Sequence, residues 1–227
     1  MEIGYYTKKS SRIKKLFEKY LKGIKTFLTQ KYGEEKTQLV VERSRSYFSQ
    51  IIQNMPYFNS ATYDELIVTC AKIMVLKKGL KDIGVGVEEF VGLMIEYLRK
   101  TRGKIPKTIR NIGGKLFLSK LMRGFLKNVA KKVTKSGWPT EVIDGKKQDD
   151  FEMKVCTKDC QMVNFISSVG EEDLIPYCSF FDFINAESMG YSLKQTTTID
   201  SGVCTFCFNK KGEVHWPEAI KEILNPV

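Results

Sequence analysis

The side chains whose types and order can carry chemistry are Cys160, Cys178, Asp182, Thr197, Thr198 and Cys204. A thiol attacks or ligates as the thiolate, and a carboxylate serves as a base when its surroundings lift its pKa toward neutrality. Asp182 stands among Phe180, Phe181 and Phe183. Burial in that company either raises its pKa for acid–base work or gives it a hydrogen-bonded structural role. Cys178 lies four residues before it, which is one face of a continuous helix, so a thiol and a carboxylate would be neighbours there. Cys160 follows Asp159 and Thr157, either of which can cap a helix. In the first turn the orphan N–H groups favour a thiolate, and the competing role is that of a small buried apolar residue. Thr196-Thr-Thr198 suits a strand and can turn a hydroxyl toward a pocket. Cys204-Thr-Phe-Cys207 is a C-x-x-C string, but on a strand its two thiols face opposite ways, against chelation or a local disulfide. A thiolate metal site drawn from Cys156, Cys160, Cys178 and Cys204 fits no standard ligand spacing.

These residues need elements to hold them. Strands are predicted near 151–155, 191–199 and 203–208, with helices over 159–168 and 173–189. Cys204, Phe206 and Phe208 share one face of the last strand, and Thr205 and Cys207 share the other. Upstream, apolar residues at spacings of three and four predict helices over 10–29, 34–54, 62–79, 86–100 and 115–135. Gly79 reads as a helix stop, and 101–114 as a loop or short helical turn containing Gly103, Pro106 and Gly113-Gly114. A glycine pair ahead of a helix can hold a phosphate, though no Walker spacing accompanies it. The C-terminal stretch from Pro217 to Val227 reads as a short helix or tail. The fold class is α+β: a helical, bundle-like N-terminal half, then a small antiparallel sheet with two or more packed helices.

Composition narrows the function. The 227 residues are 42% hydrophobic and 28% charged, enough to bury a core. The single histidine, His215, excludes a site built from two or three imidazoles. Residues 1–135 carry 29 basic and 11 acidic side chains, a balance of +18, and residues 136–227 carry 8 and 15, a balance of −7. That split divides a basic helical subdomain, 1–135, from an acidic α+β subdomain, 136–227, within one compact unit. No apolar run is long enough for a membrane span and no signal sequence opens the chain, so six cysteines imply a reducing, cytoplasmic setting. Residues 101–135 hold 11 basic and no acidic residues. The helix 115–135 is cationic and amphipathic, so a membrane surface is open to it, but packing on the protein's own core is favoured. Nucleic acid is not an expected partner, because aromatic residues are not interleaved with the charge.

The order of the motifs resembles the L-2-amino-thiazoline-4-carboxylic acid hydrolase family. The matching string runs from Cys160 through Phe165 and Gly170-Glu-Glu-Asp-Leu174 to Cys178-Ser-Phe-Phe-Asp182. It continues through Thr196-Thr-Thr-Ile199 and Gly202 to Cys204-Thr-Phe206. The likeness covers residues 151–210. Thr205 and Cys207 stand where the family carries Asp and Arg, and the preceding turn is shorter. The resemblance implies hydrolysis of a small cyclic amidine, with attack at the ring carbon between nitrogen and sulfur. It assigns Asp182, Cys178 and Cys160 to catalysis and Thr197, Thr198 and Cys204 to the substrate pocket, with a Lys or Arg of 101–135 on the substrate carboxylate. No cofactor is called for, and a metal requirement stays open. The alternative is a non-catalytic ligand-binding or sensor module whose cationic helix meets a membrane or partner.

Overall fold

The computed structural model describes Tyr6 and residues 10–58, 60–103 and 106–225. Among the described residues the helices with full bounds that come first are α1 Ser10–Tyr32, α2 Glu34–Ile51, α3 Ala61–Lys81, α4 Val87–Arg102, α5 Lys107–Phe117 and α6 Lys120–Lys135. Strands β1 Thr140–Asp144 and β2 Met153–Lys158 follow, then α7 Gln161–Ser168, a 3-10 segment Glu172–Tyr177 and α8 Phe180–Met189. The chain closes with β3 Ser192–Thr197, β4 Val203–Asn209, β5 Val214–His215 and α9 Glu218–Leu224. The protein is therefore α+β, with helices first and a small sheet in the C-terminal half. Lys104 and Ile105 in the segment read as a loop, and Pro226 and Val227 at the end of the last segment, lie outside the described residues.

The chain forms two compact units, Met1–Leu93 with Met162–Ile175, and Met94–Gln161 with Pro176–Val227. The change of charge at residue 135 is thus not where contacts divide the chain. In the first unit α1 buries Phe17, Leu21, Ile24 and Leu28, the stripe that its spacing predicts. Phe17 stacks on Phe48 of α2 with centroids 4.0 Å apart. Gly79 does not stop α3, which runs on to Lys81. It is the place where α2 comes close, since a Cβ there would stand 2.6 Å from the Ser44 hydroxyl and 2.9 Å from the Val40 carbonyl oxygen. Lys77, one turn earlier, is buried among apolar neighbours and pairs with Glu171 and Asp173.

The second unit carries the sheet, in the order β1-β2-β4-β3-β5. Three of its pairings are antiparallel, and β3 with β5 is parallel, so the sheet is mixed rather than wholly antiparallel. β1 was not expected: it is a strand because its backbone pairs with β2, Val142 opposite Val155, and not because its own pattern is strongly apolar. Met153, Leu193 and Phe208 lie on one sheet face and join Phe183, Ala186 and Leu118 in the core. Gly113-Gly114 lies inside α5, so no helix N-terminus opens there to hold a phosphate. The pair serves packing instead, because a Cβ on Gly114 would meet the Met189 carbonyl oxygen at 2.3 Å. The helix expected over 115–135 is broken at Ser119, whose hydroxyl caps α6 by accepting the Met122 N–H at 3.3 Å.

Candidate functional site

The helix expected over 173–189 does not form as one piece. Pro176 falls within the 3-10 segment, and α8 starts afresh after Ser179. Cys178 therefore sits in the turn before α8 and does not share a helical face with Asp182. Asp182 occupies the third position of α8, and its own N–H bonds the Ser179 carbonyl at 2.9 Å.

Asp182 is exposed at the surface, yet protein crowds its carboxyl closely enough that loss of hydration pushes its pKa up to about 6. Surface exposure decides access, and the residue is open; the surrounding protein decides the direction of the pKa, which is upward. The helix N-terminus pulls the other way, since it favours the charged form, but desolvation prevails. No hydrogen bond or ion pair engages this carboxylate among the described residues.

Two groups feel the charge of Asp182. Tyr191, which follows the Gly190 cap of α8, is buried, and its hydroxyl is pushed above the usual range by burial and then by Asp182, with Arg102 opposing. Cys204 on β4 is pushed up to about 12, first by burial, then by Cys160, with Asp182 and Cys156 adding to it. A thiol so high stays protonated at neutral pH, which argues against Cys204 as a nucleophile. It is held by a short chain of contacts: buried Ser179 donates its hydroxyl to Gln195 Oε1 at 3.1 Å, and Gln195 Nε2 donates to Cys204 Sγ at 3.4 Å. That chain ties the start of α8 to β3 and β4.

The structure thus brings Asp182, Cys160 and Cys204 into one electrostatic neighbourhood. Cys160 directly precedes α7 instead of lying in its first turn. Thr197 donates its hydroxyl to the Val203 carbonyl at 2.6 Å, beside the irregularity in the β3–β4 pairing. Thr198 leads into a 3-10 turn, Ile199–Ser201. Both threonines are exposed, and no hydrogen bond joins either to Asp182 among the described residues. Cys204 and Cys207 are buried on opposite faces of β4, as strand alternation requires. Among the described residues no three His, Cys, Asp or Glu side chains gather into a group able to hold a metal.

Comparison of the chain with protein-family models, with curated proteins and with solved structures finds no match.

Sequence reasoning missed Tyr191, Gln195, Ser179 and Arg102. Gln195 left a trace: it is a polar residue on the sheet face that Leu193 shares, two positions away. Arg102 was one of eleven undifferentiated basic residues. A separate cavity of about 550 Å³ in the first unit, lined by Tyr6, Arg12, Asp64 and Lys72 among others, contains none of the expected site residues. Of its two carboxylates, Asp64 accepts a hydrogen bond from the Tyr6 hydroxyl at 2.9 Å.

Proposed function

We propose that the chain is a cytoplasmic hydrolase of the L-2-amino-thiazoline-4-carboxylic acid hydrolase kind, acting on a small cyclic amidine. The observation that carries the reading is Asp182: an exposed carboxylate with no hydrogen-bond or ion-pair partner among the described residues and a pKa raised to about 6. Such a group is ionised at neutral pH and basic enough to take a proton from water. Water adds to the ring carbon between nitrogen and sulfur as Asp182 removes its proton. The adduct then opens: the bond from its central carbon to the ring nitrogen breaks, that nitrogen leaves as an amine carrying the proton from Asp182 and the adduct's hydroxyl proton, and the oxygen becomes the carbonyl of an S-carbamoyl-cysteine. Cys204, Cys160 and Cys178 line the site, and Thr197 and Thr198 contribute hydroxyl groups at its edge. Incubating the purified chain with L-2-amino-thiazoline-4-carboxylate should yield a product heavier by one water, detected by mass spectrometry. Substrate loss no faster than without protein removes this reading.

A second reading, a ligand-binding or sensor module that meets a membrane, is favoured by a different observation. Ile109, Ile112 and Leu116 on α5 and Leu121 and Phe125 on α6 are exposed, Leu121 by 87%. They lie within the segment that has 11 basic and no acidic residues. Apolar side chains rimmed by lysines suit an anionic lipid surface. This reading expects the chain to sediment with phosphatidylserine vesicles but not with phosphatidylcholine vesicles, and Leu121→Asp to release it. Equal recovery in both pellets, or none, removes it.

A further inference from the structure

The second unit holds a cavity of about 330 Å³ whose wall includes Arg102 at the end of α4, Arg110 and Gly113 of α5, and Asn185 of α8. The two arginines set it apart. Arg99, three residues before Arg102, is held by Glu187 through two hydrogen bonds of 2.9 and 2.8 Å. Arg123 donates to the Glu152 carbonyl at 2.7 Å. Arg102 and Arg110 have no carboxylate and no side-chain acceptor among the described residues, and Arg102 Nη1 and Arg110 Nε are buried without a partner. The Arg102 guanidinium stands over the face of Phe181, 5.0 Å from the ring centroid.

Buried donors left without acceptors are costly, and native proteins seldom tolerate them unless something else supplies the acceptor. Two unneutralised guanidinium groups on one wall repel each other and attract an anion. Their planar forks match the paired oxygens of a carboxylate or phosphate. The rest of the wall is of mixed character: Ile109 and Met189 are apolar, and the Asn185 amide can donate or accept. Gly113 helps to keep the space open, because a Cβ there would already meet Met189 Cε at 3.3 Å. The volume suits a small molecule.

We propose that this cavity binds a small organic oxyanion, a carboxylate or phosphate monoester carried on an apolar body, with Arg102 and Arg110 as its counterions. Arg102 and Arg110 lie in the 101–135 segment where the hydrolase reading places the cation for a substrate carboxylate, but anion binding here does not require Asp182 to act as a base, so its test is separate from a test of hydrolysis.

Isothermal titration of the full chain with benzoate, with phenyl phosphate and with benzyl alcohol tests it. At least one anion should bind with a Kd of about 1 mM or tighter, and the neutral alcohol should not. The tighter anion identifies the headgroup. Arg102→Gln and Arg110→Gln should each weaken that binding about tenfold or more, as expected for loss of a charge-assisted hydrogen bond. Gly113→Val, which fills the space and leaves the charges in place, should abolish it. Asp182→Asn should leave it no weaker. Should either arginine variant fail to fold by circular dichroism, the other and Gly113→Val decide. Binding of benzyl alcohol as tight as the anions, no heat from either anion up to about 10 mM, or wild-type affinity in the folded variants overturns the proposal.

Discussion

Replacing Lys77 by methionine should lower the stability of the chain by about 3–5 kcal/mol, the usual consequence of stranding one partner of a buried ion pair. Lys77 and Glu171 are each almost fully buried, with side chains 2% and 3% exposed. Without the ammonium, the Glu171 carboxylate would lie in the interior with no counter-charge. Asp173 also accepts from Lys77, at 2.5 Å, but its side chain is 45% exposed, so Asp173→Asn should cost only about 0–1 kcal/mol. The paired replacement Lys77→Met with Glu171→Leu should recover most of the loss, because removing both charges removes the desolvation penalty with them. Urea titration of the three variants measures all of this. A Lys77→Met chain as stable as the wild type would show that the pair is not a buried one. The pH dependence follows from the same contacts. Burial alone would lower the pKa of Lys77, but its bonds to Asp173 and Glu171 outweigh that and raise it above the ordinary 10.5. The stabilisation is therefore complete below about pH 10.5 and falls as the pH rises through the higher folded value.

If the chain is the amidine hydrolase proposed, replacing Asp182 by asparagine should lower its rate about 100- to 10,000-fold, the range expected for loss of a general base, while the chain stays folded. The rate of the wild type should rise with pH through about 6, where the carboxyl ionises in the folded chain. The same substitution has a consequence for stability that needs no substrate. Asp182 holds its proton more tightly in the folded chain than at the ordinary value of 3.8, because desolvation disfavours its charge. Its protonation thus favours folding below about pH 4, and this contribution is lost as the pH rises through about 6. At neutral pH the ionised carboxylate opposes folding, and asparagine removes that opposition. Thermal melts should show the variant gaining on the wild type between about pH 4 and pH 7. A gain in the opposite direction would mean that the helix N-terminus, not desolvation, governs this carboxyl. On the hydrolase proposal, a site that destabilises its own fold to keep a reactive group is the expected trade between stability and activity.

Local patterns carry far along this chain. The apolar stripe of α1 and the two faces of β4 follow from side-chain periods of 3.6 and 2, and a period survives whatever the strand or helix later packs against. Gly190 ends α8 in the left-handed conformation that glycine adopts readily. Where a single residue admits two uses, the pattern misleads. Gly79 has the look of a helix stop and is a close-approach residue; Gly113-Gly114 has the look of a turn and lies inside a helix against the Met189 backbone. Pro176 is tolerated in the first turn of a helix, yet the chain uses it in a 3-10 segment, and that choice separates Cys178 from the helix that carries Asp182.

By itself the sequence determined the α+β order, the buried faces of its helices and strands, and the presence of a carboxylate among aromatic residues. Those features depend on neighbours a few positions away. Only the tertiary structure decided that β1 and β5 pair into the sheet, that Lys77 meets Glu171 from 94 residues away, and that Asp182 stands near Tyr191 and Cys204. It also singled out Arg102 and Arg110 from the other basic residues of their segment. Charge is written in the sequence, but whether a charge has a partner depends on which distant side chains the fold brings within a few ångströms of it, and a one-dimensional pattern contains no such distances.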